Sequence, residues 1–201
     1  LVSKNRIIIF VKNTIKGKVK TRLAKTLGDD EALAVYKELL AITKANVEPL
    51  EVEKEVWYAW HTEEGDVWDE DIFNKKVQVE GDLGQKMSQA FASSFNEDCE
   101  KVVLIGSDCP TITTSIFEEA FNALNEKDVV LGPSLDGGYY LIGMNQFIPE
   151  LFEGITWSTE KVFGESKKVL EGLGKTLYAL QPLNDIDNET DWNAYLSEIR
   201  A

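Results

Sequence analysis

Short, unbroken apolar runs that stop at polar clusters constrain this chain more than any other feature. Val102-Val103-Leu104-Ile105 ends at Gly106-Ser107-Asp108-Cys109-Pro110, and Ile7-Ile8-Ile9-Phe10 runs into the lysine-rich stretch Lys12 to Val19. Val129-Val130-Leu131 ends likewise at Gly132-Pro133. Continuous β-branched runs this short, without polar alternation, are those of strands buried on both faces, as parallel sheets require.

The segments between these runs carry helical spacing. Leu33, Tyr36, Leu40 and Val47 predict a helix over about 30–46, and Met87, Ala90, Phe91 and Phe95 predict another after Gly81-Asp82-Leu83-Gly84. Ser115-Ile116-Phe117-Glu118 matches a capping box and predicts a helix reaching about Asn125. Further helices are expected over 159–171 and after Asn188, and further strands over 55–60, 77–80, 139–144 and 176–180. Strands alternating with helices predict an α/β fold, a three-layer Rossmann-like sandwich with a mostly parallel mixed sheet. No repeat, low-complexity tract or linker interrupts it, so one domain over 1–201 is expected. The segment from Glu63 to Lys76, rich in charge and tryptophan, reads as an irregular excursion.

Composition narrows the functions available. The 201 residues carry a net charge of −14, which argues against nucleic acid or an anionic membrane as partner. The charge is uneven: eight lysines and arginines, and no acid, precede Asp29. An acidic protein with one basic segment suggests a local site for a small anion. No stretch is long and apolar enough to span a bilayer, and Leu1 to Arg6 lacks the features of a signal peptide, so a cytoplasmic protein is expected. Cys99 and Cys109 form no disulfide framework. With His61 the lone histidine, multi-histidine zinc sites are excluded, and His61 itself marks the end of a strand. Chemistry here should rest on carboxylates, cations, backbone amides and a metal.

Ligands of open parallel sheets collect beyond the carboxyl ends of the strands, and four polar clusters fall there. The first runs from Lys12 to Leu23; its Gly17, Lys12, Lys20 and Arg22 suit phosphate oxygens, although no Walker ending is present. Lys20 and Arg22 would not share a helix face, but in a loop or first turn both reach one phosphate chain. The second holds Asp108, placed between Ser107 and Cys109-Pro110 to bind magnesium or to cap a turn. The third, Asp136-Gly137-Gly138, is a turn signal in which Asp136 is either structural or catalytic. In the fourth, Asp185-Ile186-Asp187, alternation puts both acids on one side, so either one completes a metal site with Asp108. Asn188 reads as the N-cap of the last helix.

Taken in order, the basic glycine loop, Gly81 to Gly84, Ser107 to Pro110, Asp136 to Tyr140, Trp157-Ser158-Thr159 and Asp185 to Asp187 resemble a bacterial family of glycosyltransferase-like proteins. That family lies within the nucleotide-diphospho-sugar transferase superfamily of GT-A-like fold. More distant similarity runs to the molybdenum-cofactor and 2-phospho-lactate guanylyltransferases. The resemblance covers nearly the whole chain and is most specific over Val103 to Pro110 and Asp136 to Gly143. It implies that Lys20 and Arg22 hold nucleotide phosphates, that Asp108 binds Mg²⁺ or Mn²⁺ with Asp187 as partner, and that Gly81, Asp82 and Gly84 lie near the base or acceptor. In one departure, Thr14 stands where the family's first loop usually has proline, and a looser loop is expected.

The expected activity is metal-dependent transfer at a nucleotide phosphate bond, with Asp108, Asp136 and Lys20 as catalytic candidates. The donor is a nucleoside triphosphate or a nucleotide sugar, and the acceptor a small molecule. The density of lysines from Lys12 to Lys25 tips the reading toward nucleotidyl over glycosyl transfer. The alternatives are a binding module without turnover and an enzyme using Cys109. Exposed-looking tryptophans at 57, 60 and 68 leave room for a homo-oligomer interface.

Overall fold

The fold is seen in a computed structural model that describes residues 4–200; Leu1 to Ser3, where the absence of a signal peptide was argued, lie outside the described residues. Seven strands form one sheet: β1 (Asn5–Val11), β2 (Glu53–Tyr58), β3 (Asn74–Val77), β4 (Lys101–Ile105), β5 (Val129–Pro133), β6 (Tyr139–Met144) and β7 (Leu177–Ala179). Their spatial order is β3-β2-β1-β4-β6-β5-β7. All neighbours pair in parallel except β6, which is antiparallel to both β4 and β5. The sheet is therefore mixed and mostly parallel, as expected.

Alternation within β1 shows why its apolar run is unbroken. Ile7, Ile9 and Val11 pack on one face with Tyr36, Leu40 and Val47 of helix α2 (Asp29–Val47) and with Ile116 and Phe117 of α4 (Thr114–Ala123). Ile8 packs on the other with Trp57, Leu104 and the Met87 and Phe91 side chains of α3 (Leu83–Asn96), and Leu170 of α5 (Val162–Gly172) joins that layer. Both faces are dry from Ile7 on, so that part of the strand is apolar; Arg6, at its start, is buried only in ion pairs with Glu53, Glu55 and Glu97. A third cluster joins Leu23 of α1 (Thr21–Leu27) to Val35 and Leu39 of α2, to Ile186, and to Trp192 of α6 (Glu189–Ile199). It clips the 185–187 segment onto the beginning of α1.

Several expectations need correction. Helix α1 was not expected; Gly28, at φ 84°, separates it from α2. Strand β3 lies before the expected 77–80, in a polar stretch, because Lys75 pairs with Asp66 and Glu70, and Lys76 with Glu55 and Glu97. β2 ends at Tyr58, so His61 lies three residues past the strand. The Ser115–Glu118 match does not cap α4: its N-cap is Thr113, without a side-chain cap bond. Capping boxes occur instead at Asp82 with Gln85 and at Asn188 with Asp191. Of the three tryptophans, only Trp60 is exposed, at 52%. The Trp57 indole donates to Glu55 at 2.8 Å, and Trp68 packs edge-on against Phe73 at 5.0 Å.

Candidate active site

The first loop leaves β1 and is tied down residue by residue. The Lys12 N–H donates to the Tyr36 hydroxyl at 2.8 Å, and that hydroxyl donates back to the Lys12 carbonyl at 3.0 Å. The buried Asn13 side chain donates to the His61 carbonyl and accepts from the Trp60 N–H. Thr14 donates both its N–H and its hydroxyl to Glu63, each at 2.7 Å. The looser loop expected from Thr14 is thus corrected: two bonds to Glu63 hold the position that a proline ring would have restricted. A turn follows, Lys18 N–H to the Ile15 carbonyl at 3.0 Å, with Gly17 at φ 76°. The Lys12 side chain points to solvent.

Lys20 then adopts a left-handed conformation, φ 45° and ψ 44°, at the N-cap of α1. A non-glycine residue there stores strain of roughly 1–2 kcal/mol, and the strained turn aims a buried side chain. The Lys20 ammonium lies 2.7 Å from Asp108 Oδ1 and donates to the Ile186 carbonyl at 2.5 Å, with the side chain only 5% exposed. Two residues on, Arg22 Nη1 sits 3.0 Å from Asp187 Oδ2. The Ile186 N–H donates to the Asp108 carbonyl at 2.8 Å, which locks the 185–187 segment beside the end of β4.

The structure thus brings together Lys20, Arg22, Asp108, Asp185 and Asp187, with Asp136 near enough to feel. The Asp185 carboxyl is pushed up to about 7, first by burial, then by the Asp108 and Asp136 carboxylates, with Lys20 opposing and Asp187 adding. Asp136 is exposed; its Oδ1 accepts from the Ser134 hydroxyl at 2.7 Å and the Gly138 N–H at 3.0 Å. It therefore builds the turn that sequence suggested and still lines a cleft of about 260 Å³ with Arg22, Asp185 and Asp187.

Gly81, Asp82 and Gly84 lie at the start of α3. Asp82 Oδ1 accepts from the Gln85 N–H, and a side chain at Gly84 would collide with the Trp157 indole. Local structure accounts for both residues.

The donor set suits a hard divalent cation: the carboxylate oxygens of Asp108 and Asp187, beside an Asp185 carboxyl raised first by burial and then by neighbouring acids. Yet among the described residues no group of three acids, histidines or cysteines is gathered to hold a metal unaided. Two carboxylates plus ligand phosphates are the fitting arrangement, since Mg²⁺ is commonly held by one or two carboxylates with substrate oxygens. Cys109 does not suit nucleophilic chemistry. It is buried, and burial with the Asp185 charge pushes its thiol up to about 12. Sequence gave no signal for Asn13 or Glu63. Tyr36 carried one, a hydroxyl on an otherwise apolar stripe.

A mostly parallel seven-strand sheet with this cluster at its strand ends is the nucleotide-diphospho-sugar transferase-like fold. The chain belongs to the bacterial family described as "uncharacterized protein conserved in bacteria (DUF2064)", whose pattern it matches over residues 43–159. It is similar to a Desulfovibrio desulfuricans G20 protein provisionally named a nucleotide-diphospho-sugar transferase, at 30% identity and TM-score 0.87, over 96% of this chain and 86% of that one. The 4-diphosphocytidyl-2C-methyl-D-erythritol synthase of Anaerococcus prevotii DSM 20548 shares the fold at TM-score 0.62 and 10% identity, over 99% and 97% of the two chains. So does Rv0371C of Mycobacterium tuberculosis H37Rv, seen in complex with manganese, at TM-score 0.57 and 12% identity, over 97% and 99%. No curated protein matches the chain in sequence. Among the described residues no helix is long and apolar enough to cross a membrane.

Proposed function

We propose that this protein is a transferase that acts on a nucleotide phosphate bond with Mg²⁺ or Mn²⁺, and that nucleotidyl transfer to a small phosphorylated acceptor is its reaction. The observation that carries the reading is the convergence of Lys20 and Arg22 on Asp108 and Asp187 beyond the strand ends. Lys20 and Arg22, helped by Lys12 and the amides around Gly17, would bind the triphosphate. Arg22 offers a planar fork to phosphate oxygens and Lys20 a point charge. Asp108 and Asp187 would hold the cation, which supplies charge neutralisation when bound. Gly81, Asp82 and Gly84 would border the base or acceptor. An acceptor that is already a phosphate anion needs no strong base, so positioning and electrostatics supply the acceleration. The absence of a thiolate or histidine base from the cluster favours this chemistry. A 4-diphosphocytidyl-2C-methyl-D-erythritol synthase and a manganese complex among proteins of the same fold support it.

The test is incubation with nucleoside triphosphates, nucleotide sugars and small phosphorylated or hydroxylated acceptors. Pyrophosphate release that needs metal and acceptor, and is lost in Asp108→Ala, is the expected result. Nucleoside diphosphate released from a nucleotide sugar, and lost in Asp136→Asn, would make the protein a glycosyltransferase with Asp136 as base. Nucleotide binding without any turnover would make it a binding module.

A further inference from the structure

The four central side chains are paired crosswise. Lys20 grips Asp108 at 2.7 Å and Arg22 grips Asp187 at 3.0 Å, so each pair joins a group suited to phosphate with a group suited to a cation. The Lys20 ammonium also donates to the Ile186 carbonyl at 2.5 Å, and so stands among oxygens much as a metal ion would. A strained, left-handed backbone at Lys20 and the Ile186–Asp108 backbone bond hold this arrangement in place. We infer that the unliganded site is neutralised by its own side chains, and that a divalent cation and a polyphosphate are admitted together by exchange of partners. Lys20 and Arg22 turn to the phosphates as Asp108 and Asp187 turn to the cation.

The energetics follow from what each ligand must break. A cation arriving alone must displace a buried ammonium from Asp108 and leave it unpaired. A polyphosphate arriving alone must draw that ammonium away and leave Asp108 beside Asp185 without a counter-charge. Leaving the desolvated Lys20 ammonium without a carboxylate is costly, whereas handing it to a phosphate as Asp108 takes the cation is not; the half-exposed Asp108 and the exposed Arg22–Asp187 pair add less. Each ligand therefore raises the affinity of the other by the same factor.

This inference rests on the phosphate-transfer reading, and its test separates the two. Mn²⁺ binding is followed by the free-ion electron paramagnetic resonance signal, and inorganic tripolyphosphate binding by calorimetry in EDTA, both with the full chain. Metal touching phosphate directly would couple the two ligands anyway, so the decisive comparison uses each ligand alone. The Lys20→Met, Arg22→Met double variant should bind Mn²⁺ alone about tenfold more tightly than the wild type. The Asp108→Asn, Asp187→Asn double variant should bind metal-free tripolyphosphate more tightly by a similar factor. Circular dichroism checks folding, and the single variants Lys20→Met and Asp108→Asn carry the same comparison if a double variant unfolds. Unchanged or weaker single-ligand affinity in these variants overturns the exchange and leaves the transferase reading standing. A wild-type protein that takes up neither ligand, even with both present, sinks both.

Discussion

Glu63 accepts two bonds from Thr14, one from its N–H and one from its hydroxyl, each at 2.7 Å. Glu63 belongs to the excursion after β2, which is anchored in turn where Lys75 bonds the Glu63 carbonyl and Asp66. The first loop is thus held from outside by a segment that does not itself reach Asp108. A proline at position 14 would restrict the chain covalently; here an exchangeable contact does the work.

The contact predicts a non-additive pair. Glu63→Ala leaves a part-buried N–H unsatisfied and should cost about 1–2 kcal/mol. Thr14→Pro removes both donors and should cost a similar amount in the wild type, but little more in the Glu63→Ala background. Urea unfolding of the four proteins closes the cycle. Additive losses would mean that the two side chains do not interact in solution.

Gly137 is expected to be irreplaceable for a reason that Gly154 does not share. Both have positive φ, at 91° and 69°. A Cβ at Gly137 would lie 2.2 Å from the Glu160 backbone oxygen, whereas one at Gly154 meets nothing within 4 Å. Gly154→Ala should cost about 1 kcal/mol of backbone strain, and Gly137→Ala about 1–3 kcal/mol more. Equal losses on urea unfolding would show that the 134–138 turn yields freely.

Asp128 ties β5 to β7. Its carboxylate accepts from the Thr176 hydroxyl at 2.6 Å, the Thr176 N–H at 2.8 Å and Lys175 at 3.2 Å, and these bonds hold its pKa down to about 2. The folded value lies below the unfolded one, so the stabilisation is complete above about pH 4 and drains away as pH falls toward 2. Asp128→Asn should therefore lose about 2 kcal/mol at neutral pH, with the gap to wild type closing in that window. A gap that stays constant with pH would assign the loss to packing instead.

How far the sequence could be read depended on what each segment had to bury. β1 and β4 were legible because both faces are dry and only apolar residues fit. β3 was misplaced because Asn74-Lys75-Lys76-Val77 is an edge strand whose lysines are satisfied by acids 5 to 21 residues away. Helix α1 was missed because, of its seven residues, only Leu23 is buried, which leaves no periodicity to see. The Ser115–Glu118 pattern misled because Ser115 bonds the Thr113 hydroxyl rather than an amide. The site was legible as a set of strand ends, since parallel topology gathers them. Its crosswise pairing was not, because rotamers decide which cation meets which acid.

Both thiols should be silent in the native protein. Cys109 is pushed up to about 12, and burial also raises Cys99. At neutral pH Cys109 is then almost entirely the thiol. Ellman's reagent should modify neither cysteine until denaturant is added, and Cys109→Ala should keep full transfer activity. Rapid native labelling of Cys109, with matching loss of activity, would restore the thiol to the chemistry.

The left-handed turn at Lys20 yields the last prediction, in which stability and function part. Glycine is already favoured over alanine at an N-cap, and at φ 45° alanine also keeps the clash of Cβ with the backbone that glycine lacks. Lys20→Gly should therefore be more stable than Lys20→Ala by about 1 kcal/mol, although both lose the same ammonium and the same pair with Asp108. Because Asp108 is 46% exposed, water can partly replace the lost partner, and both variants should stay folded. Both should also fail to bind a triphosphate normally. The strained turn is what brings the Lys20 ammonium to Asp108 and the Ile186 carbonyl. Denaturation midpoints that favour alanine would show that the strained turn relaxes when the lysine is removed, and that the Asp108 contact, not the backbone, holds it in place.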